Sequence, residues 1–152
     1  MKKISLYIEE KPAKSFFIIG IFLVFIFLIL LPVKRSDNHL IGSDGIYYFS
    51  YLRSFIIDHD VDIKNDIDIF NSTTPKPIKA SYSFSIGPAI LWAPVYIVAH
   101  GATSLLHMAG FPVIVNGYSY IEQSSIGLAS IIYTVIGLFL VYLTASRFTS
   151  SL

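Results

Sequence analysis

One aspartate stands at the start of a short tyrosine-rich run, and its position suits acid–base chemistry. Asp44 lies in the run Gly42-Ser43-Asp44-Gly45-Ile46-Tyr47-Tyr48, a few residues after a long apolar stretch. A carboxylate held at a membrane surface can accept a proton from an attacking hydroxyl or amine. The alternative is structural, because aspartate is also favoured as the N-cap of a following helix. The sequence leaves both roles open for Asp44.

Three basic residues follow Asp44 in the same polar segment and are candidates for binding phosphate. They are Arg53, Lys76 and Lys79. A guanidinium offers two parallel donors to phosphate oxygens, and an ammonium adds a mobile positive charge. The alternative is ordinary pairing with anionic lipid headgroups or with nearby aspartates. The pattern therefore predicts a phosphate site without excluding simple ion pairing.

A run of aspartates separates Arg53 from the two lysines. The repeated Asp-x-Asp spacing involves Asp58, Asp60, Asp62, Asp66 and Asp68. Carboxylates at this spacing can bind Mg²⁺ or Ca²⁺ together with loop carbonyls, so a divalent cation is a possible cofactor. The alternation of apolar and polar residues from Val61 to Phe70 indicates a short strand or an extended loop. In that conformation the carboxylates share one solvated face, which favours a charged surface loop over a metal site, and no metal ligand is assigned.

Two histidines lie in the second apolar stretch. His100 and His107 are two helical turns apart, roughly 10 Å, which is too far for one metal ion unless other elements contribute ligands. Ionisable groups within a membrane span are often functional. The simpler interpretation is a neutral histidine that is hydrogen-bonded to a neighbouring helix.

These residues stand in a chain that is far more apolar than a soluble domain. Hydrophobic residues make up 54% of it and charged residues only 14%, where a soluble domain has about a quarter charged. Three stretches, at 15–33, 86–108 and 124–146, are long enough to cross a bilayer. The composition predicts an all-α integral membrane protein with about three transmembrane helices and an interfacial amphipathic helix in the first external loop.

The polar segment between the first two spans is expected to contain that amphipathic helix at about 44–57. Its apolar side (Ile46, Phe49, Leu52, Phe55 and Ile56) would face the membrane interface, with tyrosines in the headgroup zone. The predicted order is a cytoplasmic basic tail at 1–14, spans at 15–33, 86–108 (kinked at Pro94) and 124–146, an external loop at 34–85, a connector at 109–123 and a stub at 147–152.

Charge and cysteine content narrow the classes of function. The net charge of +1 gives no bulk attraction for nucleic acid, and the absence of cysteine excludes disulfides and thiolate chemistry. Lysines before the first span favour a cytoplasmic N-terminus, although Lys34 and Arg35 partly offset them. Arg147 argues against this orientation, because three crossings would place it outside. The expected location is the cell membrane, with several crossings and the N-terminus in the cytoplasm.

Taken together, these motifs resemble the amino-terminal part of polytopic GT-C type glycosyltransferases of the protein O-mannosyltransferase-like kind. The residues that carry the resemblance are Ser43-Asp44-Gly45-Ile46-Tyr47-Tyr48, Tyr51-Leu52-Arg53-Ser54, Asp58-His59-Asp60-Val61-Asp62, the run from Ser83 to Pro94 and Gly117-Tyr118-Ser119-Tyr120. The resemblance covers most of the chain but only a fraction of such an enzyme, which typically has eight or more spans. It implies a polyprenyl-phosphate-sugar donor and an essential acidic residue in the first external loop, at the position of Asp44.

The sequence thus supports two hypotheses. In the first, the chain is the front part of an integral-membrane glycosyltransferase that moves a sugar from a polyprenyl-phosphate donor to an acceptor at the outer membrane face, and this portion alone is expected to be inactive. In the second, it is a small non-catalytic three-span protein that acts as an anchor or as an assembly partner of other membrane subunits. The lipid bilayer is a partner in both.

Overall fold

The computed structural model describes residues 11–31, 39–74 and 76–149. The elements are α1 (Pro12–Leu30), α2 (Gly45–Arg53), a π-helical turn (Ser54–Asp58), α3 (Lys64–Asn71), α4 (Gly87–Met108) and α5 (Tyr120–Thr149). The described residues contain helices and no strands, which confirms the predicted all-α class. The predictions for residues 1–10 of the basic tail, for Lys34 and Arg35, and for residues 150–152 of the stub lie outside the described residues.

Three of the helices, α1, α4 and α5, are long and apolar enough to cross a membrane. This confirms the prediction of a multi-pass membrane protein with three such helices. Pro88 lies in the first turn of α4, where its missing N–H costs nothing, and Pro94 lies inside the helix. α5 begins before the predicted Ser124, because Ser119 and Glu122 form a capping box. Ser119 N–H donates to the Glu122 carboxylate at 2.7 Å, and Glu122 N–H donates to Ser119 Oγ at 3.3 Å.

The chain divides into two compact units, of which the first combines α1 with residues 128–149 of α5. Its interior contacts are apolar. The Phe16 ring lies 5.5 Å from that of Phe139 and 5.7 Å from that of Tyr142. A Cβ at Gly20 would lie 3.6 Å from the Val135 methyl groups, an ordinary van der Waals distance, so Gly20 lies beside Val135 of α5.

The second unit comprises residues 31–127 and has a core like that of a soluble domain. Phe49 of α2 is fully buried and packs edge-on against Phe70 of α3 and Tyr96 of α4, with ring centroids 6.0 and 5.8 Å apart. Aromatic pairs prefer this geometry to face-to-face stacking. These rings join three separate helices around one core.

The prediction of a strand or extended loop from Val61 to Phe70 is wrong, because residues 64–71 form α3. Ile63, Ile67 and Phe70 recur at helical spacing and are all buried, so the helix buries one continuous apolar face. An extended strand would have divided those three side chains between two faces.

The expectation that the apolar side of α2 lies on the membrane interface is wrong for Ile46, Phe49 and Leu52. All three are buried in the protein core, where aromatic and aliphatic partners take the place of lipid. Phe55, on the π-helical turn, is exposed over 66% of its surface. Whether any part of this helix contacts the interface stays a prediction.

Candidate functional site

Asp44 directly precedes α2, and its side chain is exposed. It occupies the N-cap position without a side-chain capping bond. The first turn is closed by backbone carbonyls instead, since Ser43 and Asp44 accept from the N–H groups of Ile46 and Tyr47, both at 3.1 Å. Asp44 therefore occupies the N-cap position, as the structural alternative predicts, but its side chain makes no capping bond. The carboxylate is not used in capping.

The helix behind Asp44 is held firmly. A Cβ at Gly45 would lie 3.3 Å from Ile41 Cγ2, so only a glycine fits there without displacing its neighbour. Ile41, Ile46 and Phe49 belong to the buried core. The Asp44 carboxylate thus projects from a packed element rather than from an isolated loop.

The segment that carries the candidate lysines packs against the first turn of α2. The Tyr47 hydroxyl donates to the Lys79 carbonyl at 3.0 Å, and the Tyr47 ring stacks on Phe84 with centroids 4.0 Å apart. The Asn71 side chain bonds both the N–H and the carbonyl of Ile78, at 2.7 and 2.8 Å. The Tyr47 bond therefore ties the backbone of Lys79 to a side chain from the first turn of α2. Both Lys76 and Lys79 are exposed.

Arg53 lies instead in a buried ion-pair network at the end of α2. Its Nη1 donates to Asp58 Oδ2 at 2.5 Å and to Asp66 Oδ1 at 3.2 Å, and its Nε donates to the Asn116 carbonyl at 2.9 Å. The guanidinium also lies over the Tyr118 ring, 4.6 Å from its centroid. The alternative that Arg53 pairs with the aspartates is confirmed. Among the described residues, no bond connects Arg53 with the two other candidate phosphate ligands, Lys76 and Lys79.

Asp66 of α3 is the buried centre of this network. It accepts hydrogen bonds from Ser54 Oγ at 2.7 Å and from the Tyr118 hydroxyl, in addition to Arg53. A buried carboxylate needs such partners, because an unpaired charge inside a protein is strongly destabilising. The interpretation of the aspartate run as one solvated face is wrong for Asp66, whereas Asp60, Asp62 and Asp68 are exposed.

The electrostatics of the network follow from burial and pairing. Burial raises the pKa of Asp66, and the opposing effects of Tyr118, Ser54 and Arg53 do not cancel it. Burial would lower the pKa of Arg53, but Tyr118, Asp66 and Asp58 outweigh it and leave the pKa above its ordinary value. Burial and the Asp66 carboxylate raise the pKa of Tyr118, so its phenol remains a hydrogen-bond donor at neutral pH.

Sequence reasoning missed Asp66 because the alternation of residues suggested a strand. The signal that could have found it was the helical spacing of Ile63, Ile67 and Phe70, which places Asp66 on the same face. An aspartate on the apolar face of a helix requires a partner, and Arg53 is the nearest preceding arginine in the sequence. The contribution of Tyr118, which is 52 positions away, had no signal in the sequence.

A second polar cluster joins α4 to the first turn of α5. His100 Nδ1 donates to Glu122 Oε1 at 2.5 Å, and Glu122 is completely buried. The ring of His100 stacks on Tyr96, whose hydroxyl donates to the Gly117 carbonyl at 2.9 Å. The expected hydrogen bond from a histidine to a neighbouring helix is confirmed for His100, whereas His107 bonds the Val113 carbonyl of the non-helical connector at 2.9 Å.

No set of side chains in the described ranges is arranged to bind the divalent cation that the sequence allows as a cofactor. No three side chains of aspartate, glutamate or histidine converge there as metal ligands would. Asp58 and Asp66 converge on a guanidinium rather than on an open space. The arrangement is therefore an internal ion-pair network together with an exposed carboxylate and two exposed lysines.

Comparison of the chain with protein-family models found no match, and searches among curated proteins and among solved structures also returned none.

Proposed function

We propose that this chain is the amino-terminal part of a GT-C type membrane glycosyltransferase that moves a sugar from a polyprenyl-phosphate donor to an acceptor at the outer face of the cell membrane. The observation that carries the proposal is the uncommitted, exposed carboxylate of Asp44 on a firmly packed helix. The three apolar helices and the sequence resemblance support it further. The proposed orientation has the N-terminus in the cytoplasm and Asp44 outside.

In the proposed reaction Asp44 acts as a general base. Its carboxylate takes the proton from an acceptor hydroxyl or amine while that group attacks the anomeric carbon of the donor sugar. The bond from the anomeric carbon to the lipid phosphate breaks, the electron pair leaves with the phosphate, and the configuration inverts. A base that is already positioned typically contributes 10²- to 10⁴-fold to such a rate.

Lys76 and Lys79 are the proposed partners of the departing lipid phosphate. Both are exposed, and Tyr47 anchors the backbone of Lys79 to the same helix turn that follows Asp44. Their positive charges would stabilise the phosphate as it gains negative charge. Arg53 was the third candidate, but its donors already serve Asp58, Asp66 and Asn116, so we assign it to holding α2 and α3 together.

The test is sugar transfer by the full-length protein carrying Asp44→Asn. We expect the rate to fall by about 10²-fold or more, since an amide cannot accept the proton. The matched control is Asp68→Asn, which removes an exposed carboxylate of the same segment and should leave transfer unchanged. Transfer by Asp44→Asn at close to the wild-type rate, with both variants folded, would remove Asp44 from the chemistry, whereas the absence of transfer by the folded wild-type protein would favour the non-catalytic anchor.

A further inference from the structure

We propose that α4 does not cross the bilayer, and that it lies along the membrane surface with its exposed apolar face in a single lipid leaflet. On this proposal α1 and α5 are the two spans, and the segment between them begins and ends on one side of the membrane. The proposed partner of α4 is the hydrocarbon of that leaflet. The inference does not rest on the glycosyltransferase proposal.

The first argument is the direction of the paired membrane helices. Phe16, near the start of α1, contacts Phe139 and Tyr142, whereas Gly20 faces Val135. As residue numbers rise along α1, those of its partner fall along α5, so the two helices run antiparallel. A groove of about 270 Å³ between them continues the same pairing, from Phe17 to Val24 on α1 and from Ile131 to Ile136 on α5.

Antiparallel neighbours fix how often the intervening chain can cross. If α1 crosses in one direction and α5 returns in the other, the number of crossings between them must be even. Within the described ranges, α4 is the only intervening helix with the length and composition to cross. A single crossing by α4 would make α1 and α5 parallel, contrary to their contacts.

The second argument is the course of the connector after α4. It turns back along that helix, because His107 bonds the Val113 carbonyl and Tyr96 bonds the Gly117 carbonyl. The start of α5 therefore lies beside the middle of α4, where Thr103 Oγ1 is 3.2 Å from Ser119 Oγ and His100 bonds Glu122. If α4 crossed the bilayer, this non-helical connector would return through the hydrocarbon, where unpaired backbone groups exposed to lipid are not tolerated.

The third argument is that α4 has two different apolar faces. One face, with Ala89, Tyr96, Ala99 and Thr103, is buried in the second unit. The other presents exposed apolar side chains at helical spacing: Ile90, Ile97, Val98, Leu105 and Met108. A contiguous apolar face of this size is unusual on a soluble surface and is typical of a helix that lies in a membrane interface.

The basic residues at the start of α1 and at the end of α5 agree with this arrangement. With two crossings, Arg147 near the end of α5 lies on the same side as Lys11 and Lys14 before and within the first turn of α1. Basic residues that flank short spans collect on the cytoplasmic side. Three crossings would place Arg147 opposite those lysines.

The test uses single cysteines, which the chain allows because it has none of its own. Ser83→Cys lies before α4 and Ala109→Cys directly after it, both at exposed positions, and Lys11→Cys marks the opposite side. Oriented vesicles that contain the full chain are treated with a membrane-impermeant maleimide before and after permeabilisation. We expect Ser83→Cys and Ala109→Cys to react from one side and Lys11→Cys from the other. Reaction of Ala109→Cys from the side of Lys11→Cys would overturn the proposal.

A second measurement tests the lipid contact. Val98→Cys carries a polarity-sensitive fluorophore in phosphatidylcholine and phosphatidylglycerol vesicles, and the matched site is Lys76→Cys, an exposed polar position. We expect nitroxide lipids to quench the probe at residue 98 several-fold more strongly than at residue 76. Equal quenching at the two sites, or quenching of residue 98 by a water-soluble agent, would overturn the assignment of this face to lipid.

Discussion

Phenylalanines in the two compact units of this chain have opposite environments. In α1, Phe17, Phe22 and Phe25 are each exposed over about 60% of their surface or more, whereas Phe49 and Phe70 of the second unit are almost completely buried. In the membrane pair, lipid serves as the solvent, so apolar side chains can face outward at no cost. In the second unit, the same residue type is removed from water by packing among helices.

Polar groups show the same contrast. The pairing of α1 with α5 uses ring contacts and the apolar contact between Gly20 and Val135. The second unit uses a connected set of hydrogen bonds around Arg53 and Asp66, in which each partner compensates the burial of another. One chain therefore combines packing that depends on lipid with a core of the kind found in water-soluble domains. Four substitutions, at Arg53, Gly117, Gly20 and Asp66, can test this difference.

The largest expected effect is in the network. Arg53→Met leaves Asp66 buried with its main cationic partner removed, and breaking a buried pair in this way costs roughly 3–5 kcal/mol. The only tryptophan, Trp92, lies in α4 next to Tyr48 of α2, so its fluorescence reports unfolding of the second unit in a denaturant titration. The control Lys76→Met removes an exposed cation and should change little. A loss below about 1 kcal/mol for Arg53→Met would show that the network is not structural and would restore Arg53 as a candidate phosphate ligand.

A matched pair of glycine substitutions, one in each unit, should have a smaller effect. The substitution in the second unit should lower stability, and the one in the first unit should change it little. At Gly117, φ is +86°, and a Cβ would lie 2.7 Å from the Tyr96 hydroxyl oxygen and 2.9 Å from Arg53 Cγ. Gly117→Ala is therefore expected to destabilise the second unit by roughly 2 kcal/mol or more, from backbone strain and displaced neighbours.

Gly20→Ala is the control for that substitution. Its Cβ would meet Val135 at 3.6 Å, an ordinary contact, so we expect a change below about 0.5 kcal/mol. Loss of helical circular dichroism during detergent denaturation measures both variants. Equal destabilisation by the two substitutions would contradict the proposed difference in packing.

The smallest expected effect is a pH dependence from Asp66. Because its pKa is raised above the ordinary 3.8, the folded chain holds this proton more tightly than the unfolded chain. The stability contributed by this group is therefore fully present below 3.8 and is lost as the pH rises through the folded pKa. We expect acidification from neutral pH to favour the wild type relative to Asp66→Asn, which lacks this titration.

Denaturant titrations of the wild type and Asp66→Asn at pH 7 and near pH 4 measure this difference. Comparison of the two proteins cancels the contribution of every ionisable group that they share. The Asp62 carboxylate affects stability in the opposite sense, because hydrogen bonds from the Tyr82 hydroxyl and the Lys64 N–H lower its pKa. The stability that it contributes is lost only when the pH falls below the ordinary pKa of aspartate. An advantage of the wild type that shrinks on acidification would show that pairing, rather than burial, dominates the titration of Asp66.

Much of the fold could be predicted because apolar runs of membrane length have few alternatives. The run of Phe, Ile, Leu and Val at residues 16–31, interrupted only by Gly20, allows only a lipid-facing helix, and α1 was predicted from it. The segment at 61–70 was predicted wrongly, because a short stretch can satisfy both a two-residue and a helical period. For the candidate site, the position of Asp44 before a helix was predictable, but the commitment of Arg53 to Asp58 and Asp66 was only one of two open alternatives.

The sequence by itself determined the membrane class, the three apolar helices and the start of a helix at Asp44, since these depend on local composition and spacing. Only the tertiary structure decided that Arg53, Asp66 and Tyr118 form one buried network and that α1 and α5 run antiparallel. Those features depend on contacts between residues distant along the chain. Local patterns do not encode such contacts, because which partner satisfies a buried charge is set by how the helices pack.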